Sequence, residues 1–404
     1  MPRRKLVGRH SSIIAALALT AALGTAPAAA TSTAGADTVR FWNEVTMSTL
    51  VTAATAAPVQ SVYLTYVHRA VYDGVMRAAE RRASMPAAAS AAAHAVLVHY
   101  FPTQKVTLDQ RYVESLSTVP DDRARRKGLA AGLMAADRLL RARAGDGLNG
   151  VAKPLPSPGP GVWIPTPPNT VGLASWLGEM RPFTLRSASQ FRPAAPPALT
   201  GKRWAVDYNE VRVLGSATST QRTATQTEAA RFWADPPNVQ NQRALRAYTE
   251  QRGMNTVSTA RLFALVDTAA ADGLIACWDA KYAFGFWRPF SAIPAGDTDG
   301  NPATVADPAW QPLLATPNHP EYPSAHGCLT SAMFTVLAEL VGTRRIDIDI
   351  DSVLTGTTHH FATLDQLVRE VGNARVWGGL HWRFSTDVGV GLGRQVAKVV
   401  LRAG

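Results

Sequence analysis

Three short blocks in the last third of this 404-residue chain concentrate side chains capable of chemistry. The first is CWDAKYAFGFWRPF, Cys277 to Phe290, in which Lys281 and Arg288 stand among aromatic residues. A spacing of seven is two helical turns, so Trp278, Lys281 and Arg288 are predicted to share one helix face, with Pro289 ending the helix. A basic surface stripe is the plain alternative. Against it stand Tyr282, Phe284, Phe286 and Trp287, since charges set in apolar surroundings need partners. No acid lies between Ala280 and Gly296, which leaves a bound anion as a source of compensating charge.

The second block is HPEYPSAHGC, His319 to Cys328. A proline followed by an apolar run, Ser331 to Leu340, predicts a helix starting near Ser324. Its first backbone N–H groups lack intrahelical acceptors and its dipole is positive there, which suits an anion near Ser324, Ala325 and His326. Serine at such a place is ordinarily a cap. The third block, NARVWGGLHWRF, sets Arg375 six residues before His381 with Gly378 and Gly379 between them. Six residues is not one helical face, so the glycines predict a turn that brings both side chains to one point, although a lone buried histidine is commonly just a core residue. Two arginines and a lysine can hold an oxyanion through charge-assisted bonds. A neutral histidine can attack phosphorus or bind vanadium, while a second one exchanges protons near neutral pH. H-E-x-x-H, G-x-S-x-G and phosphate-binding glycine loops are absent. His359 and His360 are adjacent, without evident partners.

These residues have to be positioned by helices. Val59, Val62, Tyr63, Tyr66, Val67, Ala70, Val71 and Val75 repeat at helical spacing, as do the alanine-rich stretch to Tyr100 and the set Leu129, Leu133, Ala136 and Leu140. Helical patterning returns near Lys202, through TQTEAARFWA and QRALRAYTEQRG, and along Thr256 to about Trp287. Between them, residues 154–197 are proline-rich yet carry Trp163, Trp176, Leu177, Phe183 and Phe191, which predicts an ordered, extended crossing over the helical body. RRIDIDIDSV is the one candidate strand. The fold class expected is all-α.

Hydrophobic content of 46% is ample for a core, and the formal charge of +11 owes four charges to Arg3, Arg4, Lys5 and Arg9. These precede the apolar run Ile13 to Leu23 and small residues, the pattern of a secretory signal peptide over residues 1–36 with cleavage after Ala30 or Ala36. Export by either the general or the twin-arginine route fits. Residues 37–404 are then one helical domain, extracytoplasmic, with no membrane span and no nucleic-acid-binding pattern. Cys277 and Cys328 would form one disulfide there or remain two buried thiols.

The order of Lys281, Arg288–Pro289, Pro323–Ser324, His326, Arg375 and His381 resembles the vanadium-dependent haloperoxidases and type 2 phosphatidic acid phosphatases. FWNEV, VYLTYVHRAVYDGV, RPFTLRSASQFRPAAPPAL and QTEAARFW look like the secreted bacterial haloperoxidase branch. The resemblance implies a helical bundle holding vanadate, with His381 as the axial metal ligand. Lys281, Arg288, Ser324, Ala325 and Arg375 would bind the oxyanion, His326 would act as acid–base, and Lys281 would polarise peroxide. The reactants implied are hydrogen peroxide and a halide, with hypohalous acid or a halogenated organic acceptor as product. Trp278 matches an aromatic position near the halide site of chloroperoxidases. His319 falls at another position, aromatic in chloroperoxidases and histidine in algal bromoperoxidases, so the two point to different halides. On His319, bromide and iodide are the expected substrates. A metal-free phosphatase working through a phosphohistidine at His381, or a non-catalytic oxyanion carrier, uses the same atoms. Departures from the pattern are Ala325 for glycine, Ala374 for serine, and Ser385 where an acid is usual, with Asp387 the nearest substitute.

Overall fold

A computed structural model describes residues 28–404. Most of the expected export segment lies outside the described residues, and both expected cleavage positions fall along the backbone of the first helix. The helices are α1 (Ala28–Thr52), α2 (Ala57–Glu80), α3 (Met85–Tyr100), α4 (Lys105–Leu116), α5 (Arg123–Arg143), α6 (Lys202–Leu214), α7 (Ala224–Phe232), α8 (Pro237–Gln251), α9 (Thr256–Phe284), α10 (Pro289–Ala292), α11 (Ala325–Leu340), α12 (Leu364–Trp377) and α13 (Arg383–Ala403). A two-stranded antiparallel hairpin, β1 (Arg345–Asp351) and β2 (Thr358–Thr363), is the only sheet among the described residues. Alternation in β1 sends Ile346, Ile348 and Ile350 into the core. The strand THHFAT lacked that alternation and was invisible in the sequence.

α9 is the central element. Its residues are buried on every side, as expected of a helix surrounded by others, and α2, α11, α1 and α13 pack against it. α11 in turn packs on α13 and α12. The two carboxylates buried on α9 are both used. Asp272 accepts the backbone N–H groups of Phe183 and Thr184, which docks the proline-rich crossing, and the Asp267 carboxylate anchors α2 through His68 and α8 through Gln242.

α5 differs from its sequence reading. Leu133 is exposed and Leu140 only half-buried, while Gly128, Ala131, Gly132, Ala135 and Ala136 form the buried face. The reason is close approach to α3, since a Cβ on Gly132 would lie 2.2 Å from the Ala88 carbonyl oxygen. Backbone proximity, not leucine burial, decides which face turns inward.

Apolar side chains form one large cluster about α1, α2, α9, α11 and α13, and a second, aromatic one containing Trp204, Tyr208, Phe286, Trp287, Trp310, Tyr322 and Trp382. The three polar blocks lie on the seam. Trp278, Ala325 and Cys328 belong to the first cluster, and Phe286, Tyr322, Val376 and Trp382 to the second.

Candidate functional site

Each block reaches the seam through a helix end. α9 stops at Phe284 because Gly285 adopts a left-handed φ of +54° and returns its N–H to the Lys281 carbonyl. Arg288 therefore does not share a helix face with Lys281, as the spacing of seven had suggested. The chain turns, and Pro289 starts α10 instead of ending α9. The proline-rich crossing fixes this turn, with Trp163 N–H donating to Gly285 and Trp287 N–H to Gly161. The same crossing grips the stretch before Ser324, where Leu173 N–H donates to Asn318, and it accepts the Trp278 indole N–H at Leu173.

α12 ends in the turn anticipated from Gly378–Gly379. Gly379 takes φ +74° and donates to Val376, while Leu380 donates to Arg375 at 3.0 Å, the paired bonds of a Schellman cap. His381 is thereby folded back over Arg375. α11 begins at Ala325 with Ser324 at the N-cap, yet the Ser324 hydroxyl caps nothing.

All of the cations are buried. Arg288 donates to the carbonyls of His319 (2.9 Å) and Leu380 (2.8 Å), to His381 Nε2 (3.2 Å) and to His319 Nδ1 (3.0 Å). Arg375 donates to the Trp233 carbonyl, and its Nε has no partner. Lys281 was expected to bind an oxyanion directly. Its Nζ instead donates to the carbonyls of Pro320, Glu321 and Pro323 at 2.8, 3.0 and 2.5 Å, which uses all three of its protons. It supplies positive charge and holds the loop. Burial pushes Lys281 down to about 8, Arg288 to about 10 and Arg375 to about 9, with Arg288 adding repulsion to Arg375.

His381 is the residue around which these meet. Its Nε2 faces Arg288 and its Nδ1 lies 2.8 Å from Glu321 Oε1. Sequence reasoning missed Glu321. It is a carboxylate inside an apolar, proline-bounded stretch, and that burial was the available signal. Asp387 does not replace the expected acid, because it is exposed and bonded to Arg203. Burial raises the Glu321 carboxyl to about 7 despite Arg288 and Lys281. His326 is half-buried on the first turn of α11 and has no hydrogen bond; burial and then Arg375, Arg288 and Lys281 hold its pKa well below the usual histidine value. His381 is depressed by burial and then Arg288, Lys281 and Arg375. Burial, Lys281 and Arg288 do the same to His319. That ring packs on Trp278 with centroids 4.8 Å apart.

Ser324 Oγ, Arg375 Nε and Glu321 Oε2 are buried without partners. Buried polar atoms are nearly always paired, and here two unpaired donors stand in a cluster of three cations and one carboxylate. That donor set fits an oxyanion.

Comparison with known proteins bears on the fold. Residues 261–403 match the family described as the VCPO second helical-bundle domain. The match covers about a third of the chain. The matched stretch runs from within α9 to the end of α13 and contains every residue of the cluster. A vanadium chloroperoxidase from Curvularia inaequalis is 29% identical over 229 residues, 41% of this chain and 37% of the relative's length. The chain thus aligns with little more than a third of that relative. The first bacterial vanadium-dependent iodoperoxidase structure superposes with a TM-score of 0.76 at 23% identity, covering 92% of this chain and 96% of the other. A holo-type bacterial vanadium-dependent chloroperoxidase gives 0.69 at 18% identity, covering 86% and 92%. The fold is the helical fold of the vanadium haloperoxidases.

Two residue pairs outside the cluster need separate statements. Cys277 and Cys328 are free and buried, and the Cys277 thiol donates to the Pro323 carbonyl rather than joining Cys328. His359 is not without partners: Nδ1 lies 2.7 Å from Glu370 and Nε2 3.1 Å from Glu228, and the ring stacks on Phe232. These two acids come from α12 and α7, far from His359 in sequence, so adjacency to His360 said nothing of them. Among the described residues no helix is long and apolar enough to cross a membrane.

Proposed function

We propose that the protein is a vanadate-dependent haloperoxidase that oxidises halide with hydrogen peroxide to hypohalous acid. The observation that carries this reading is the pair of unpartnered buried donors, Ser324 Oγ and Arg375 Nε, beside His381. The vanadium enzymes among its relatives support the choice of oxyanion. His381 would hold vanadate through Nε2, with Arg288 and Arg375 neutralising its oxygens and Ser324 donating to them. Bound vanadate supplies Lewis acidity that makes peroxide electrophilic toward halide. His326, with no hydrogen bond of its own, is free to take a proton from incoming hydrogen peroxide and return it. Lys281 adds charge while keeping the 320–323 loop in place. Trp278 and His319 border the halide's approach.

The experiment is direct. The purified protein is loaded with orthovanadate and assayed for peroxide- and bromide-dependent bromination of a phenol dye, and the vanadate-free protein is assayed on p-nitrophenyl phosphate. Bromination that requires vanadate supports the reading. Phosphate release without bromination would instead assign a phosphatase with His381 as nucleophile, and binding without either turnover a carrier. We also place the enzyme outside the cytoplasm, on the basic and apolar pattern of residues 1–36; N-terminal sequencing of protein recovered from the medium tests that placement.

A further inference from the structure

We propose that Glu321 is the positioning residue of the oxyanion site, fixing the imidazole of His381 so that its Nε2 lone pair is presented to the bound anion. This inference rests on the oxyanion reading above. The geometry leaves little freedom. On the Nε2 side stands Arg288, a guanidinium that can only donate. On the Nδ1 side stands Glu321 Oε1, which also accepts the backbone N–H of Trp382 at 3.0 Å. An oxygen accepting that backbone bond is the acceptor oxygen of its carboxyl group. Any proton the group takes up sits on Oε2, which contacts no donor or acceptor. The ring is therefore held as Nδ1–H with Nε2 unprotonated, whether or not the carboxyl group is charged.

The residue is itself tied to each block. Its N–H donates to Phe286 at 2.9 Å and its carbonyl accepts Lys281 Nζ at 3.0 Å, both beside the end of α9. The same carbonyl accepts the Ser385 hydroxyl of α13 at 3.4 Å. Only two residues separate Glu321 from Ser324, so one short loop sets both the imidazole and the hydroxyl. Carboxylates that orient a ligating histidine in this way change metal-site affinity by about 10–100-fold when removed.

The test compares Glu321→Gln, Glu321→Met and Glu321→Asp in the full chain. Glu321→Gln loses the charge but keeps an acceptor oxygen, which Trp382 N–H holds toward His381. Glu321→Met loses the same charge and the acceptor. Orthovanadate and inorganic phosphate binding are read by calorimetry, and the His381 tautomer by ring-nitrogen NMR on histidine-labelled protein without anion. In the wild type and Glu321→Gln the expected result is a protonated Nδ1, an unprotonated Nε2 and affinities no weaker than wild type. Glu321→Met is expected to lose the protected Nδ1–H signal and to bind about 10–100-fold more weakly. Glu321→Asp keeps the charge but withdraws the oxygen by one methylene, and it should weaken binding in the same direction; it decides the matter if Glu321→Met does not fold. Equal affinities in the Gln, Met and Asp variants, with the Nδ1–H signal kept in each that folds, would overturn the proposal. Failure of the wild type to bind either anion would overturn the oxyanion reading instead, a result the tautomer measurement in anion-free protein keeps separate.

Discussion

Two histidine–carboxylate pairs are fully buried among the described residues, and they are built alike. His68 Nδ1 bonds to Asp267 and His381 Nδ1 bonds to Glu321. Around His68 every neighbour is answered. Asp267 also accepts Gln242, Gln242 accepts Asn43, and Asn43 accepts Arg246 and meets His68 Nε2 at 3.4 Å. This closed network joins α1, α2, α8 and α9. Around His381 three cations face one carboxylate, and Ser324 Oγ, Arg375 Nε and Glu321 Oε2 go unpaired. A histidine beside an acid is thus no mark of a site. The mark is surplus charge with donors left open, because such an arrangement is costly to bury unless a ligand completes it.

The largest expected difference follows from deleting each histidine. His381→Ala should abolish orthovanadate binding and turnover, since it removes the side chain proposed above to hold the anion. His68→Ala should leave binding per folded molecule unchanged but destabilise the fold by about 1–3 kcal/mol, the cost of leaving the buried Asp267 oxygen without its partner. Chemical denaturation and calorimetric titration of both variants check this; equal loss of binding in the two would erase the distinction.

Next in size is His326→Ala. It should keep oxyanion affinity within a few-fold and lower turnover by about 10²–10⁴, the range for a lost acid–base group. Steady-state rates and vanadate titration on the same preparation separate the two quantities.

Ser324→Ala probes an open donor directly. Loss of a hydrogen bond to a charged partner, about 1.5–3 kcal/mol, corresponds to roughly 10–100-fold weaker anion binding. Since the hydroxyl has no partner in the protein, the fold should be no less stable. Gln242→Ala, in the closed network, should do the reverse and lower stability without touching affinity. A stability loss in Ser324→Ala matching that of Gln242→Ala would mean that the serine is an ordinary structural residue.

The open site should also give stability a pH dependence. His319, His326 and His381 are held below the usual value, so they stay neutral in the fold while the unfolded chain takes up protons near pH 6.5. Their contribution is present above pH 6.5 and lost as pH falls, at up to about 1.4 kcal/mol per pH unit for each. Glu321 works the other way. Its folded pKa of about 7, raised from 4.5, favours the fold on acidification between those values. Three groups oppose one, so net stability should fall below pH 6.5. Phosphate or vanadate, by supplying negative charge, should flatten the slope. Melting curves from pH 5 to 8 with and without anion test it, and a slope indifferent to anion would sink the assignment.

How much of this was legible in sequence depends on what carried each contact. Lys281, Arg288, Ser324, His326, Arg375 and His381 stood out because their residue types suit an anion and their spacings are short. Helices α2, α3, α5 to α9 and α11 were readable from their apolar patterning, whereas α4 was not. Arg288 was placed on the wrong element because the left-handed turn at Gly285 was not anticipated. Glu321 was missed since its partner lies 60 residues away and only burial reveals it. The buried face of α5 depended on backbone approach to α3, which residue type alone does not report.

The smallest expected effect concerns the halide. His319 lies against Trp278 with its Nδ1 3.0 Å from Arg288, so one side chain adjoins both an aromatic wall and the cation nearest His381. Its ring has two uses: a bond to the Pro320 carbonyl at 3.1 Å, which would make it a loop residue, and the bond from Arg288. The two compete, because Nδ1 cannot donate to a carbonyl and accept from a guanidinium at once. If the Arg288 bond prevails, a polar imidazole faces the halide's approach and keeps it hydrated. Chloride is the more strongly hydrated ion and the harder to oxidise, so it should suffer most, leaving bromide and iodide as the working substrates. His319→Phe should then raise the chloride-to-bromide rate ratio, by an amount on the order of 1 kcal/mol or several-fold. The same variant frees a donor of Arg288, so vanadate affinity should be held constant by saturation while initial rates are compared at fixed pH. A ratio that does not move would place His319 with His68, as a histidine whose bonds serve the fold.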